Sequence, residues 1–177
     1  QITKAEAESD SQLKHLNSEM LAARSAKVDA SLLKQFRDLV ESRDQVLGTT
    51  VAPADFAKFD AVALELEKAE NGTPEAGNAR RRLLSSMDGF IREAKRREDA
   101  VVTTKKFRAA KLTAEVSARG IAVGERKPTD EIDQRIEELA AEIAQLDAEV
   151  ASAKDYRIAL EGVKKDIEYV SLDLEKQ

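Results

Sequence analysis

Residues 130–156 read DEIDQRIEELAAEIAQLDAEVASAKDY. Ile132, Ile136, Leu139, Ile143, Leu146, Val150 and Ala153 recur there at alternating spacings of four and three. The mean spacing of that pattern nearly matches one helical turn, so the seven side chains form a single stripe. This is the heptad repeat of a coiled-coil helix. Arg157 takes the next core position, and the stripe resumes at Tyr156, Leu160, Val163, Ile167, Val170 and Leu174. Such a three-residue phase shift is the sequence mark of a stammer. Pro128 and the acidic residues Asp130 and Glu131 supply start signals. Together these features predict a helix over about 130–176.

Towards the N-terminus, Pro and Gly divide the chain. Gly120 and Gly124 precede Pro128, and the spacing predicts a hairpin tip over 119–128. Asn71-Gly72-Thr73-Pro74 marks another break, with Thr73 as an N-cap and Pro74 as first helical residue. Gly48 and Pro53 bound a third. The helices expected between these breaks cover about 3–47, 54–70 and 75–118. The short one places Phe56, Phe59, Ala63 and Leu66 on one face. The first carries Leu13, Leu16 and Met20, then Val28, Leu32, Phe36, Leu39 and Val46, with Arg24 and Lys27 between the two stripes. The helix over 75–118 offers Leu84, Met87, Ile91, Ala94 and Val101, then Leu112 and Val116. Glu98, Lys105 and Arg108 interrupt that stripe, so its middle is expected to be poorly buried or to meet something polar.

The fold class expected is all-α: one elongated antiparallel helical bundle or coiled coil, with three long helices and one short one. Composition agrees. Of 177 residues, 36% are charged and 4% aromatic, with seven Gly and three Pro; abundant Ala, Glu, Lys, Leu and Arg favour long helices over a turn-rich β fold. The same numbers exclude several chemistries. With no Cys there is no disulfide framework, thiolate metal site or cysteine nucleophile. The one histidine, His15, has Glu19 one turn on, a pairing common by chance and insufficient for a metal site. Ser85-Ser86 and Thr103-Thr104 have no base placed beside them, and Gly120 to Gly124 lacks phosphate-loop spacing. No catalytic residue, metal or cofactor is therefore expected, and no enzyme. No apolar run reaches the roughly 18–20 residues that span a bilayer, and no contact with a membrane is indicated. Without an initiator Met or a signal peptide, the sequence reads as an excised piece or a mature chain. Its compartment stays open, cytoplasmic before periplasmic.

Charge is segregated. Residues 80–111 hold eleven Lys and Arg against four Asp and Glu, whereas 129–177 hold six against fourteen. A net charge of −5 conceals that division. Nucleic acid could be drawn to the basic segment, but Phe90 and Phe107 are its only aromatic residues and its cations point all round the helix. Neutralisation by the acidic last helix, folded back antiparallel, is the better reading.

These features lead us to expect a non-enzymatic spacer, scaffold or interaction surface, acting through a protein partner or through self-association of helical faces, homo-oligomers included. The residues expected at a partner contact are Arg96, Arg97, Val101, Lys105 and Arg108 in the irregular stretch, with Ile121 and Val123 at the tip. The alternatives are an extracytoplasmic helical sensor domain of a transmembrane receptor and a coiled-coil arm of an ATPase-type machine.

Overall fold

A computed structural model of the chain describes residues 4–14, 28, 30–70 and 73–176, with side chains described up to residue 168. The described residues are helical, with short connections and no strand. Helix α1 covers residues 4–14. It is followed by α2 (Ala30–Glu41), α3 (Arg43–Leu47), α4 (Pro53–Lys68), α5 (Pro74–Gly124) and α6 (Asp130–Lys176). The all-α class expected from composition and periodicity is the class observed. His15, Leu16, Glu19, Met20, Arg24, Lys27, Asn71 and Gly72 lie outside the described residues, as do the side chains of Val170 and Leu174.

Several boundaries differ from the expected ones. Val28 is not helical, and a turn at Ser42 separates α2 from α3, so 3–47 is not one helix. The Ser42 hydroxyl donates to the Leu39 carbonyl (2.8 Å), the local competition that makes serine a poor interior helix residue. The phase then slips by one residue: Leu47, not Val46, is the buried member of that stripe. Gly48 closes α3 in the left-handed conformation (φ 64°), its N–H donating to Asp44 O at 2.9 Å. At the next start Thr73 caps α5 as its spacing implies: the hydroxyl accepts the Ala76 N–H (3.3 Å), and Pro74 opens the helix.

The expected end of the third helix at 118, and the tip at 119–128, are corrected. Helix α5 runs through Gly120 to Gly124. A glycine costs a helix only about 1 kcal/mol relative to Ala, too little to stop it. The stop comes from Pro128, which disfavours helical backbone at the residue before it. The closing residue is Arg126, with φ 59°. Lys127 N–H donates to Ala122 O (2.9 Å) and Arg126 N–H to Val123 O (3.1 Å). That double bond pattern is a Schellman motif with arginine where glycine is usual.

Where the sequence suggests one elongated domain, contacts divide the chain into two compact units. The first comprises Gln1–Asp44, Gly48–Ile91 and Ala159–Gln177; the second comprises Gln45–Leu47 and Arg92–Ile158.

The first unit has an aromatic centre. Phe36 of α2 stacks on Phe59 of α4 at 5.6 Å, and Phe90 of α5 meets Phe36, Phe59 and Phe56 at 6.0–6.3 Å. Leu83, Met87, Leu160 and Ile167 are buried in the same unit. Full burial of one such side chain stabilises by about 1.5–3 kcal/mol. Leu83 and Phe90 take the interior places expected for Leu84 and Ile91, which are half-buried. The bulky rings of α2 and α4 rotate that helix face by about one residue.

Arg37 grips Asp60 with two hydrogen bonds, of 2.9 and 3.0 Å, while its guanidinium lies 5.4 Å from the Phe56 ring centre. The hydrogen bond from Arg37 holds the Asp60 carboxyl below its ordinary range, and Asp60 in turn raises Arg37. Lys164 of α6 reaches Asp88 of α5 at 2.5 Å. Burial works against the Lys164 charge, but the bonds and field of Asp88 and Glu168 outweigh it and raise its pKa.

The second unit is a helical hairpin of α5 and α6, joined by the end of α3 at Gln45–Leu47. Ile132, Ile136, Leu139, Ile143, Leu146 and Val150 are the half-buried residues in successive turns of α6. Ala153 and Tyr156 are buried, while Arg157 is half-buried. The three-residue phase shift read from the sequence therefore appears as two buried residues three apart.

Candidate interaction surface

Opposite that apolar stripe, α5 presents an unusual edge. Its less exposed residues run Glu98, Val101, Lys105, Arg108, Leu112 and Glu115, then Ala118 and Ala122. Four of the first six are charged, yet each charge meets its opposite. Buried Glu98 accepts from Arg157 Nε at 2.5 Å. Lys105 pairs with Asp147, Arg108 with Glu142 (3.1 Å) and Glu115 with Arg135 (3.1 Å). Near the turn, Arg119 donates to Asp133 (2.6 Å), which also accepts from the Thr129 hydroxyl (3.0 Å). Arg119 first, then Thr129, hold the Asp133 carboxyl below its ordinary range. In the basic stretch Lys105 and Arg108 pair with α6, whereas Arg82 pairs with Glu65 of α4, and Lys95 and Arg96 with carboxylates of α5 itself; the polar contact expected for its irregular middle is found. Arg157, which breaks the heptad on α6, and Glu98, which breaks the stripe on α5, are each other's partner.

This arrangement sorts the seven residues expected at a partner contact. Val101 is buried, and Arg97 donates to the Leu47 carbonyl at 3.2 Å. With Lys105 and Arg108 turned onto α6, four of the seven are engaged inside the second unit. Arg96 is exposed and pairs along its own helix with Glu93 at 3.1 Å. Ile121 and Val123 are 62% and 54% exposed. They sit on the last turn of α5 rather than in a loop. A shallow groove beside Arg108 and Glu142 is lined by Thr104, Ala141, Gln145 and Leu146.

Because most charges in the last half of α5 lie towards α6, its outer surface there carries few of them. From Ala100 to Gly124 the charged residues are Lys105, Lys106, Arg108, Lys111, Glu115 and Arg119. At about 100° per residue, five of the six fall on the half of the helix nearest α6; Lys106 is the exception. The outermost line is Ala100, Thr103, Phe107, Ala110, Ala114, Ser117 and Ile121, all exposed. Phe107 is 71% exposed, and Val116, on the flank, 53%. Val116 was expected on the buried stripe with Leu112 and is exposed instead, and Phe107 was noted only as an aromatic residue of the basic segment. Their signal was there in the charges: when Lys and Arg occupy seam positions, the opposite face inherits the apolar residues.

Among the described residues, no group of three or more His, Asp or Glu could hold a metal ion, and no helix is long and apolar enough to cross a membrane. What fold and surface define is an all-α chain whose second unit is a coiled-coil-like hairpin with an outer face of few charges. Compared with family models, with curated proteins and with solved structures, the chain matches none.

Proposed function

We propose that the protein is a non-enzymatic helical scaffold whose second unit holds a protein partner on the outer face of α5. The observation carrying this reading is Phe107, 71% exposed on a strip from which charge has been withdrawn towards α6. A contiguous apolar patch of a few hundred Å² on a protein surface is often functional. A photo-cross-linking residue at Phe107 or Ile121, in the cell that makes the protein, should yield protein adducts. The same residue at Glu138, on the outer side of α6, should yield few. Equal yields at all three positions, or none, would refute the reading.

A coiled-coil arm of a larger machine is the second reading, favoured by the tight closure of the hairpin between Gly124 and Asp130. Nucleotide-binding motifs encoded in the same gene would support it.

A further inference from the structure

The outer strip of α5 is not evenly apolar. Its two largest residues, Phe107 and Ile121, lie the same distance either side of Ala114, seven residues away in each direction. Between them the outermost residues are Ala110, Ala114 and Ser117, small enough to let a second helix approach closely. We infer that this strip pairs with the same strip of a second copy, antiparallel, about a two-fold axis at Ala114. The inference rests on the scaffold reading above and names its partner.

The symmetry follows from the sequence. In an isologous pair, residue i meets j and j meets i. With the axis at Ala114, Phe107 of each copy packs beside Ile121 of the other, and the two Ala114 residues meet at the centre. Large side chains close both ends of a small-residue middle, so the surface is its own complement.

Charge decides the direction. Lys106 and Lys111 are the exposed cations bordering the strip. In a parallel pair opposite flanks meet, which sets Lys106 of one copy near Lys111 of the other, like charge against like. Antiparallel, Lys111 lies across from Ser117 and Ala118 of the other copy, and Lys106 across from Gly120 and Ala122. The outermost line offers no charge to an acidic or basic partner, so what it recognises is another uncharged helix face.

Area sets the strength. Ala100–Gly124 is about 37 Å long, and a contact strip about 10 Å wide gives roughly 370 Å² per copy. Stable interfaces bury about 800 Å² per partner. The pair should therefore be weak and concentration-dependent, assembling where copies are held close together.

Cross-linking tests the register directly, because the chain has no cysteine of its own. Under mild oxidation Ala114→Cys should form a disulfide-linked dimer. Phe107→Cys alone should not, whereas Phe107→Cys mixed with Ile121→Cys should give the hybrid dimer. Sedimentation across micromolar to millimolar protein should show dimer growing with concentration. Phe107→Asp should abolish that growth while leaving the helical circular dichroism unchanged, since the residue is exposed. A self-linked Phe107→Cys dimer would overturn the antiparallel register. A wild-type chain that stays monomeric throughout would overturn self-pairing altogether. Photo-adducts at Phe107 to a different protein would then leave the scaffold reading standing, and a lack of any adduct would remove both.

Discussion

Four of the five phenylalanines, Phe36, Phe56, Phe59 and Phe90, touch one another in the first unit. The fifth, Phe107, stands 71% exposed in the second. Helix number explains the difference. In the first unit, segments of α2, α4, α5 and α6 all contribute buried residues, so a large ring can be covered on every side. In the second, two helices share one seam, and each stripe residue from Ile132 to Val150 keeps part of its surface in water. A two-helix seam can be specified by repeat and charge, but from Ile132 to Val150 it leaves its side chains partly open to water; Tyr156, 5% exposed, is the one ring that the second unit buries among the described residues.

That difference should be measurable as stability. Phe59→Ala removes a buried ring at the centre of the aromatic cluster and should cost about 3–5 kcal/mol. Leu146→Ala, on the half-buried stripe of the hairpin, should cost less, about 1–2 kcal/mol. Denaturant unfolding of the two variants provides the check. Equal losses would mean that the hairpin seam is as well enclosed as the first unit. Amide exchange gives the same comparison without mutation: protection should be higher around Phe59 and Leu83 than along Ile136 to Leu146.

Between these two in size stands Glu98→Ala. It removes the carboxylate that accepts two hydrogen bonds from Arg157, whose side chain is 17% exposed. Breaking an ion pair this far from water should cost about 2–3 kcal/mol. Adding Arg157→Leu should recover most of the loss, because the apolar side chain restores the stripe that Arg157 interrupts. If the double variant is no better than the single, the pair is a surface contact and Glu98 is held by packing alone.

How far the sequence foretold this depended on how regular the pattern was. The α6 stripe, its phase shift at Ala153 and Tyr156, and the Thr73 cap were all legible, because periodicity and capping are local. Leu83 and Phe90 were missed for Leu84 and Ile91. A rotation of one residue is decided by the shapes of α2 and α4, which local periodicity does not carry. The contact residues divided likewise. Ile121 and Val123, placed at a tip by the neighbouring Gly and Pro, are exposed; Lys105 and Arg108, read as polar interruptions of the stripe, meet carboxylates. Only the antiparallel register of α5 on α6 assigns them Asp147 and Glu142.

The end of α5 yields a smaller effect, of opposite sign. Arg126 holds φ 59°, a conformation that costs a residue with a Cβ about 1–2 kcal/mol. Arg126→Gly keeps both Schellman hydrogen bonds and relieves that cost. It also makes the unfolded chain more flexible, which returns part of the gain. The net expectation is a stabilisation of about 0.5–1 kcal/mol, read as a raised melting temperature. Destabilisation would show that the Arg126 side chain, not the backbone turn, secures the tip.

The smallest expected effect is a pH dependence, and each unit supplies one aspartate for it. Asp60 and Asp133 both have pKa values lowered by an arginine, Arg37 in the first unit and Arg119 in the second. A carboxyl depressed in the folded state contributes stability above its unfolded value, near 3.9, and that contribution is lost as pH falls through the folded value. Stability should thus be level above about pH 5 and decline on further acidification. Asp60→Asn and Asp133→Asn should each flatten that decline, measured by thermal melts between neutral and acidic pH. The two should part company in salt. Asp133 sits at the open end of a two-helix hairpin, where ions screen it freely, whereas Asp60 is held by the Arg37 fork, whose guanidinium lies over Phe56. Added salt should erase the Asp133 contribution first. If instead both fade together, the Asp60 pair is as open to solvent as the tip, and the first unit encloses its apolar rings without shielding the charges beside them.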